Sequence, residues 1–101
     1  MAPATVTFHR LAERDYQQAR QWYARRSLQA EGRFVGAVDQ AIQQIAAAPD
    51  RWPVVSGVYR WVKTRRYPYV LYYRILDPDH VLIMAVAHAR RRSGYWLRRR
   101  P

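Results

Sequence analysis

Tyr69-Val70-Leu71-Tyr72-Tyr73-Arg74-Ile75-Leu76-Asp77-Pro78-Asp79-His80-Val81-Leu82-Ile83-Met84-Ala85-Val86-Ala87 is the stretch whose reading decides the fold. In its first part apolar side chains recur at every second position, Tyr69, Leu71, Tyr73 and Ile75, as one buried face of a strand requires. Asp77-Pro78-Asp79 suits a tight turn, because proline pre-sets the second turn position and aspartate bonds the nearby backbone. Val81 to Ala87 is apolar at almost every position, which predicts a central strand covered on both faces. Upstream, Val58 to Arg66 keeps the period of two but carries Arg60, Lys63, Arg65 and Arg66, which suits a half-exposed strand. These three strands form an antiparallel meander.

Towards the N-terminus the period changes. Thr5-Val6-Thr7-Phe8 alternates like a short strand with Val6 and Phe8 inward. From Leu11, the positions Ala12, Tyr16, Ala19 and Trp22-Tyr23 fall at spacings of three and four, one face of a helix, with Arg14, Gln18, Gln21 and Arg25 on the wet side. A second helix follows Ser27 as N-cap, burying Phe34, Val38, Ala41, Ile42 and Ile45, until Pro49 stops it. The short link makes the two helices an antiparallel hairpin, and the segment from Pro49 to Gly57 reads as turn. The expected fold is α+β in the order β-α-α-β-β-β, with the helical hairpin packed on one face of an antiparallel sheet and residues 1–101 forming a single domain.

Composition narrows the function. Half of the 101 residues are hydrophobic and 14% aromatic, too apolar for a disordered chain despite a net charge of +11. No run approaches the roughly 20 apolar residues of a membrane span, and Met1-Ala2-Pro3-Ala4 lacks the regions of a signal peptide. Cysteine is absent, which removes disulfides, thiolate metal sites and cysteine nucleophiles. We therefore expect a cytoplasmic protein with no membrane partner. Residues 1–50 hold six Lys and Arg against five Asp and Glu, whereas residues 51–101 hold twelve against two. The second half thus faces an acidic partner, whether protein segment, nucleic acid or anionic surface.

The densest signal is the exit of the last strand, His88-Ala89-Arg90-Arg91-Arg92-Ser93-Gly94-Tyr95-Trp96-Leu97-Arg98-Arg99-Arg100. Forked guanidinium donors bind oxyanions and aromatic rings stack on bases, so this mixture suits phosphate-bearing or acidic partners. A solvated tail with Trp96 tucked onto the core is the plainer reading. Other chemistry finds little support. His9, His80 and His88 show no metal-ligand spacing, there is no glycine-rich phosphate loop, and Ser56 and Ser93 lie near no base-and-orienter arrangement. Neither metal nor cofactor is expected.

Asp15 in a first helix running to Trp22-Tyr23, Arg33-Phe34 in the second, Pro49 at its end, Tyr67-Pro68-Tyr69, Tyr72-Tyr73-Arg74, His88-Ala89-Arg90 and Tyr95-Trp96 together resemble the RelE/ParE toxins of bacterial toxin-antitoxin pairs. The resemblance spans nearly the whole chain and implies the same hairpin-on-sheet fold. It further implies a cognate antitoxin, a hetero-oligomer with it, and one of two targets. RelE-like members cleave mRNA on the ribosome; ParE-like members poison DNA gyrase. A nuclease here would use Lys63, Arg65, His88, Arg90 and Tyr95, with His88 as base and the cations stabilising phosphorane charge. Val70, however, stands where the nucleases carry a basic residue, and Ala89 occupies the direct match for Arg90. The ParE-like reading is therefore preferred, with partner or target contacts from Arg60, Lys63, Arg65, Arg66, Arg90, Arg91, Arg92, Tyr95 and Trp96. The mRNA nuclease and a non-toxic basic nucleic-acid-binding module are the alternatives.

Overall fold

A computed structural model of the chain describes residues 2–92 and 94–101; Met1 and Ser93 lie outside the described residues. The elements are β1 (Thr5–Phe8), α1 (Arg10–Ala24), α2 (Leu28–Ala47), β2 (Val54–Ser56), β3 (Tyr59–Lys63), β4 (Tyr69–Asp77) and β5 (His80–His88). Short 3-10 turns occupy Pro49–Arg51 and Tyr95–Arg98. Each helix begins on a side-chain cap that satisfies an amide the helix leaves open: His9 Nδ1 accepts from Leu11 N–H, and Ser27 Oγ accepts from Ala30 N–H. α2 stops at Ala47, two residues before Pro49.

The five strands lie in the order β1-β5-β4-β3-β2. β3, β4 and β5 form the expected antiparallel meander, with Lys63 opposite Val70, Val70 opposite Ala87, and Tyr69 opposite His88. Two features go beyond that meander. β1 joins alongside β5 in parallel, so the sheet is mixed. A parallel pair needs a long crossover, which the rest of the chain provides. The segment read as turn also yields an edge strand, β2, built from β-branched Val54 and Val55. β3 is shorter than Val58 to Arg66, because the Thr64 hydroxyl lies 3.1 Å and 3.0 Å from the carbonyls of Tyr67 and Tyr69 and turns the chain early. Arg66 follows at φ 67°, a left-handed conformation unusual for a side-chain-bearing residue.

The hairpin α1/α2 covers one face of the sheet. There Phe34, Val38 and Ile45 meet Leu71, Tyr73, Val81, Ile83 and Val86, all buried. The opposite face carries a second cluster of Met84, Ala85 and Trp96, packed against Tyr59, Tyr72 and Leu82. β5 is thus buried from both sides, as its unbroken apolar run requires. Trp22 departs from the expected buried stripe. It is 45% exposed while its neighbour Tyr23 stacks on Phe34, since adjacent helical residues point about 100° apart and both cannot face one core.

Tyr73 is fully buried, and its hydroxyl donates to the Pro49 carbonyl at 2.5 Å, tying β4 to the end of α2. Burial pushes this phenol up to about 12. A group whose folded value lies above its unfolded one stabilises fully below the unfolded value, near 10, and loses that contribution as pH rises towards 12. We expect stability in urea melts to fall between pH 10 and 12, and Tyr73→Phe to flatten that fall while lowering stability at pH 8 by about 1 kcal/mol. An unchanged alkaline slope in the variant would contradict this role for Tyr73.

Candidate functional site

Halfway along β5 the register with β4 slips, Tyr73 pairing Ile83 while Tyr72 pairs Ala85, so Met84 is an extra residue. The bulge re-aims everything beyond it. Val81 and Ile83 face the helices before the slip, and Val86 and His88 face them after it. The same slip changes which backbone groups point away from β4. β1 ends at Phe8, opposite Ile83, so the upper half of β5 has no strand beside it on that edge.

A largely covered ion pair occupies the start of this gap. Arg99 makes a forked contact with Asp15, Nη1 to Oδ2 at 2.6 Å and Nη2 to Oδ1 at 3.0 Å. Arg99 Nη1 also donates to the Met84 carbonyl, and Asp15 Oδ2 accepts from the Val86 amide. The pair therefore satisfies backbone groups that a longer β1 would have taken. Both side chains are only 12% and 10% exposed. It fixes the tail that holds Trp96 on the far face, stacked on Tyr72 at 4.5 Å and edge-on to Tyr59. His9 Nε2 anchors the same tail by donating to the Arg100 carbonyl at 2.6 Å.

Beyond the ion pair lies a groove of about 340 Å³ between α1 and the end of β5, lined chiefly by Gln18, Trp22, Tyr23, Tyr69, His88 and Arg91. Tyr69 and His88 meet edge to face at 5.3 Å, and the Arg91 guanidinium sits 4.1 Å from the Tyr95 ring centre. Burial, with the Asp15 carboxylate beside it, raises the Tyr95 phenol above its ordinary value of 10. Tyr95 therefore enters neutral-pH chemistry as a donor, not a base.

The structure divides the sequence candidates. His88, Arg91 and Tyr95 converge on the groove. Lys63 does not: it follows buried Val62 on β3 and lies opposite Val70, on the sheet face away from the helices, whereas His88 shares the helical face with Tyr69. His88 Nδ1 also accepts from the Arg90 amide at 3.0 Å, which commits that nitrogen to the turn. Arg65 and Arg66 are exposed in the β3–β4 turn and border a separate hollow with Arg33 and Gln40 of α2. Arg60 is spent internally, donating to the carbonyls of Asp50 and Trp52. Trp96 is 1% exposed and so unavailable to a partner while the tail is in place. Arg90 and Arg92 are exposed. Sequence reasoning missed Arg99 and Gln18 and gave Asp15 no role; the one available signal was the Trp22-Tyr23 pair, whose adjacency forces one ring outward. Among the described residues no group of three His, Cys, Asp or Glu could hold a metal, and no helix is long and apolar enough to cross a membrane.

A helical hairpin over a mixed sheet, with a basic exit folded back on the last strand, defines the RelE/ParE class of toxins. Comparison gives the family: residues 6–93 match the model for the ParE toxin of type II toxin-antitoxin system, parDE, and the chain belongs to that family. No curated protein sequence matches it. Among solved structures, one described as the chromosomal ParDE TA system from P. aeruginosa superposes with TM-score 0.71 at 12% identity, covering 84% of this chain and 95% of that one. At that identity the likeness shows the shared fold.

Removing one member of a buried ion pair strands the other, which costs about 3 kcal/mol or more. We expect Arg99→Gln to destabilise the chain on that scale and to speed amide exchange at Val86, with Trp96 fluorescence shifting towards that of solvent-exposed indole. Retention of the buried Trp96 emission and slow Val86 exchange would show that the tail is held by packing alone.

Proposed function

We propose that this chain is a ParE-like toxin that inhibits DNA gyrase in the cytoplasm and is neutralised by a cognate antitoxin bound across its basic half. Membership of the ParE family supplies the class. The observation that carries the choice of target is the separation of the residues a nuclease would need. Cleavage through a 2'-hydroxyl requires a base, an acid and cations around one phosphate. Lys63 and His88 lie on opposite faces of the sheet, Val70 stands between them without charge, and one His88 nitrogen is committed to the Arg90 amide. That arrangement favours a toxin that acts by binding.

The charge supports the antitoxin half of the reading. Twelve basic residues against two acidic ones in residues 51–101 repel one another, and an acidic partner relieves that repulsion while speeding its own association. Arg90, Arg91 and Arg92 stand exposed at the strand exit, where they can steer it.

Purified protein is expected to inhibit gyrase supercoiling, or trap cleaved DNA, while ribosome-bound mRNA stays intact. His88→Ala should leave that inhibition within about tenfold, because the side chain borders the groove and caps a turn but transfers no proton in a binding mechanism. The check is a supercoiling assay beside primer extension on translated mRNA, using one preparation. Codon-positioned cuts that fall roughly a hundredfold or more in His88→Ala, with gyrase unaffected, would establish the nuclease instead.

A further inference from the structure

The second helix and the β3–β4 turn border a hollow separate from the aromatic groove. Its outer part, about 620 Å³, lies between Arg33 and Gln40 of α2 and Arg65 and Arg66 of the turn; an adjoining part of about 490 Å³ shares Gln40, Arg65 and Arg66 and runs on to Gln44. Among the described residues no carboxylate lines either part, and the exposed Arg33, Arg65 and Arg66 enter no ion pair. Arg33 reaches only the side-chain oxygen of Gln29, at 3.4 Å. The rings at the margins are committed elsewhere: Tyr67 meets Tyr23 and Phe34 edge-on, and Trp52 Nε1 donates to the Gln44 carbonyl. Between the arginines α2 presents Gly36. Nothing lies within 4 Å of where a Cβ would stand there, so the chain's own packing does not require glycine. Glycine inside a helix is unfavourable relative to alanine, and its effect here is to keep the floor of the hollow low. Arg66 carries a further strain. Its φ of 67° lies in the left-handed region, which glycine or asparagine adopts more readily. Backbone strain of this kind gathers where the placement of a side chain serves binding.

We propose that this hollow holds the phosphate backbone of duplex DNA. From Arg33 to Gln44 the helix rises roughly 16 Å, and each strand of a duplex brings one phosphate per about 3.4 Å of its axis, so roughly four or five phosphates face the rim. The guanidinium forks of Arg33, Arg65 and Arg66 meet phosphate oxygens in pairs, and the side-chain amides of Gln40 and Gln44 add neutral donors. The low floor at Gly36 lets the sugar-phosphate chain lie close to the helix. An acidic protein segment answers the charge equally well, but protein contacts draw most of their energy from apolar anchors, and Trp52 and Tyr67 are packed against the fold's own core. A single strand gains its affinity by stacking bases on open rings, which the same packing denies it. Contact with backbone alone is left, and it carries no sequence preference. This contact stands whichever target the toxin disables.

The test is fluorescence anisotropy of a labelled duplex of about 20 base pairs, titrated with the full chain to about 200 μM at several salt concentrations, since backbone binding has dissociation constants of about 1–100 μM near physiological salt. Arg66→Gly is expected to weaken binding about fivefold and to lower the salt slope by about one. Its urea midpoint should hold level or rise, because glycine relieves the left-handed strain. A residue that only shaped the turn would not pair a loss of DNA binding with undiminished stability. Gly36→Glu, with open space around it, should weaken binding about tenfold by setting a like charge against the phosphates. Arg90→Gln combined with Arg92→Gln removes two charges at the strand exit and should change binding by less than about twofold. Unlabelled duplexes of unrelated sequence should compete equally, and a single strand of the same length more weakly. Unchanged binding in Arg66→Gly and Gly36→Glu, or a loss in the exit variant as large as theirs, would overturn the proposal. Polyglutamate of equal charge displacing the label as well as duplex DNA does would overturn it in favour of an acidic protein segment.

Discussion

The forked ion pair between Asp15 and Arg99 is the constraint on which the rest of this structure depends. It joins residues 84 positions apart in sequence and reaches two backbone groups of β5, Met84 C=O and Val86 N–H. Three segments therefore meet at one point: the first helix, the central strand and the tail. A buried ion pair is not by itself strong evidence of net stabilisation, since apolar residues of similar volume can serve as well. Its value here is positional. Asp15 Oδ2 and Arg99 Nη1 each answer a backbone group that the short β1 leaves open, so losing either partner orphans backbone as well as the opposite charge.

From that point the two faces of the sheet are sorted. The bulge at Met84 gives the helical side Val86 and His88 and gives the far side Ala85 and Ala87, small enough for Trp96 to lie over the sheet and stack on Tyr72. Had β5 run without the extra residue, His88 would have joined Lys63 and Val70 on the far face. The two strongest nuclease candidates are kept apart by one inserted residue. A protein of the ParE family built this way carries exposed arginines and an aromatic groove at the exit of its last strand.

Much of this fold was legible because its elements obey their periods. Tyr69, Leu71, Tyr73 and Ile75 announced a face, Ser27 and Pro49 bracketed a helix, and the unbroken apolar run from Val81 to Ala87 required burial on both sides. The same run hid the bulge, since a stretch in which every residue is apolar carries no phase from which a slip can be read. Parallel pairing of β1 was hidden for a different reason: partner choice between distant strands leaves no local mark. The site was less legible than the fold. Arg99 sat in a run of three arginines that composition alone could not separate, and only the folded tail shows that its side chain is largely covered while Arg98 and Arg100 are exposed. Trp96, read in the sequence both as a partner contact and as a ring tucked onto the core, takes the second place and fastens the tail.

The account stands on coupling between Asp15 and Arg99, and a double-mutant cycle measures it directly. Stability is determined by urea unfolding for the parent chain, Asp15→Asn, Arg99→Gln and the double variant. The account predicts strong non-additivity, each single change costing about 3 kcal/mol and the second adding little once the first is made, for a coupling energy of about 2 kcal/mol or more. Additive costs, with a coupling below about 0.5 kcal/mol, would contradict it and leave the tail held by Trp96 alone.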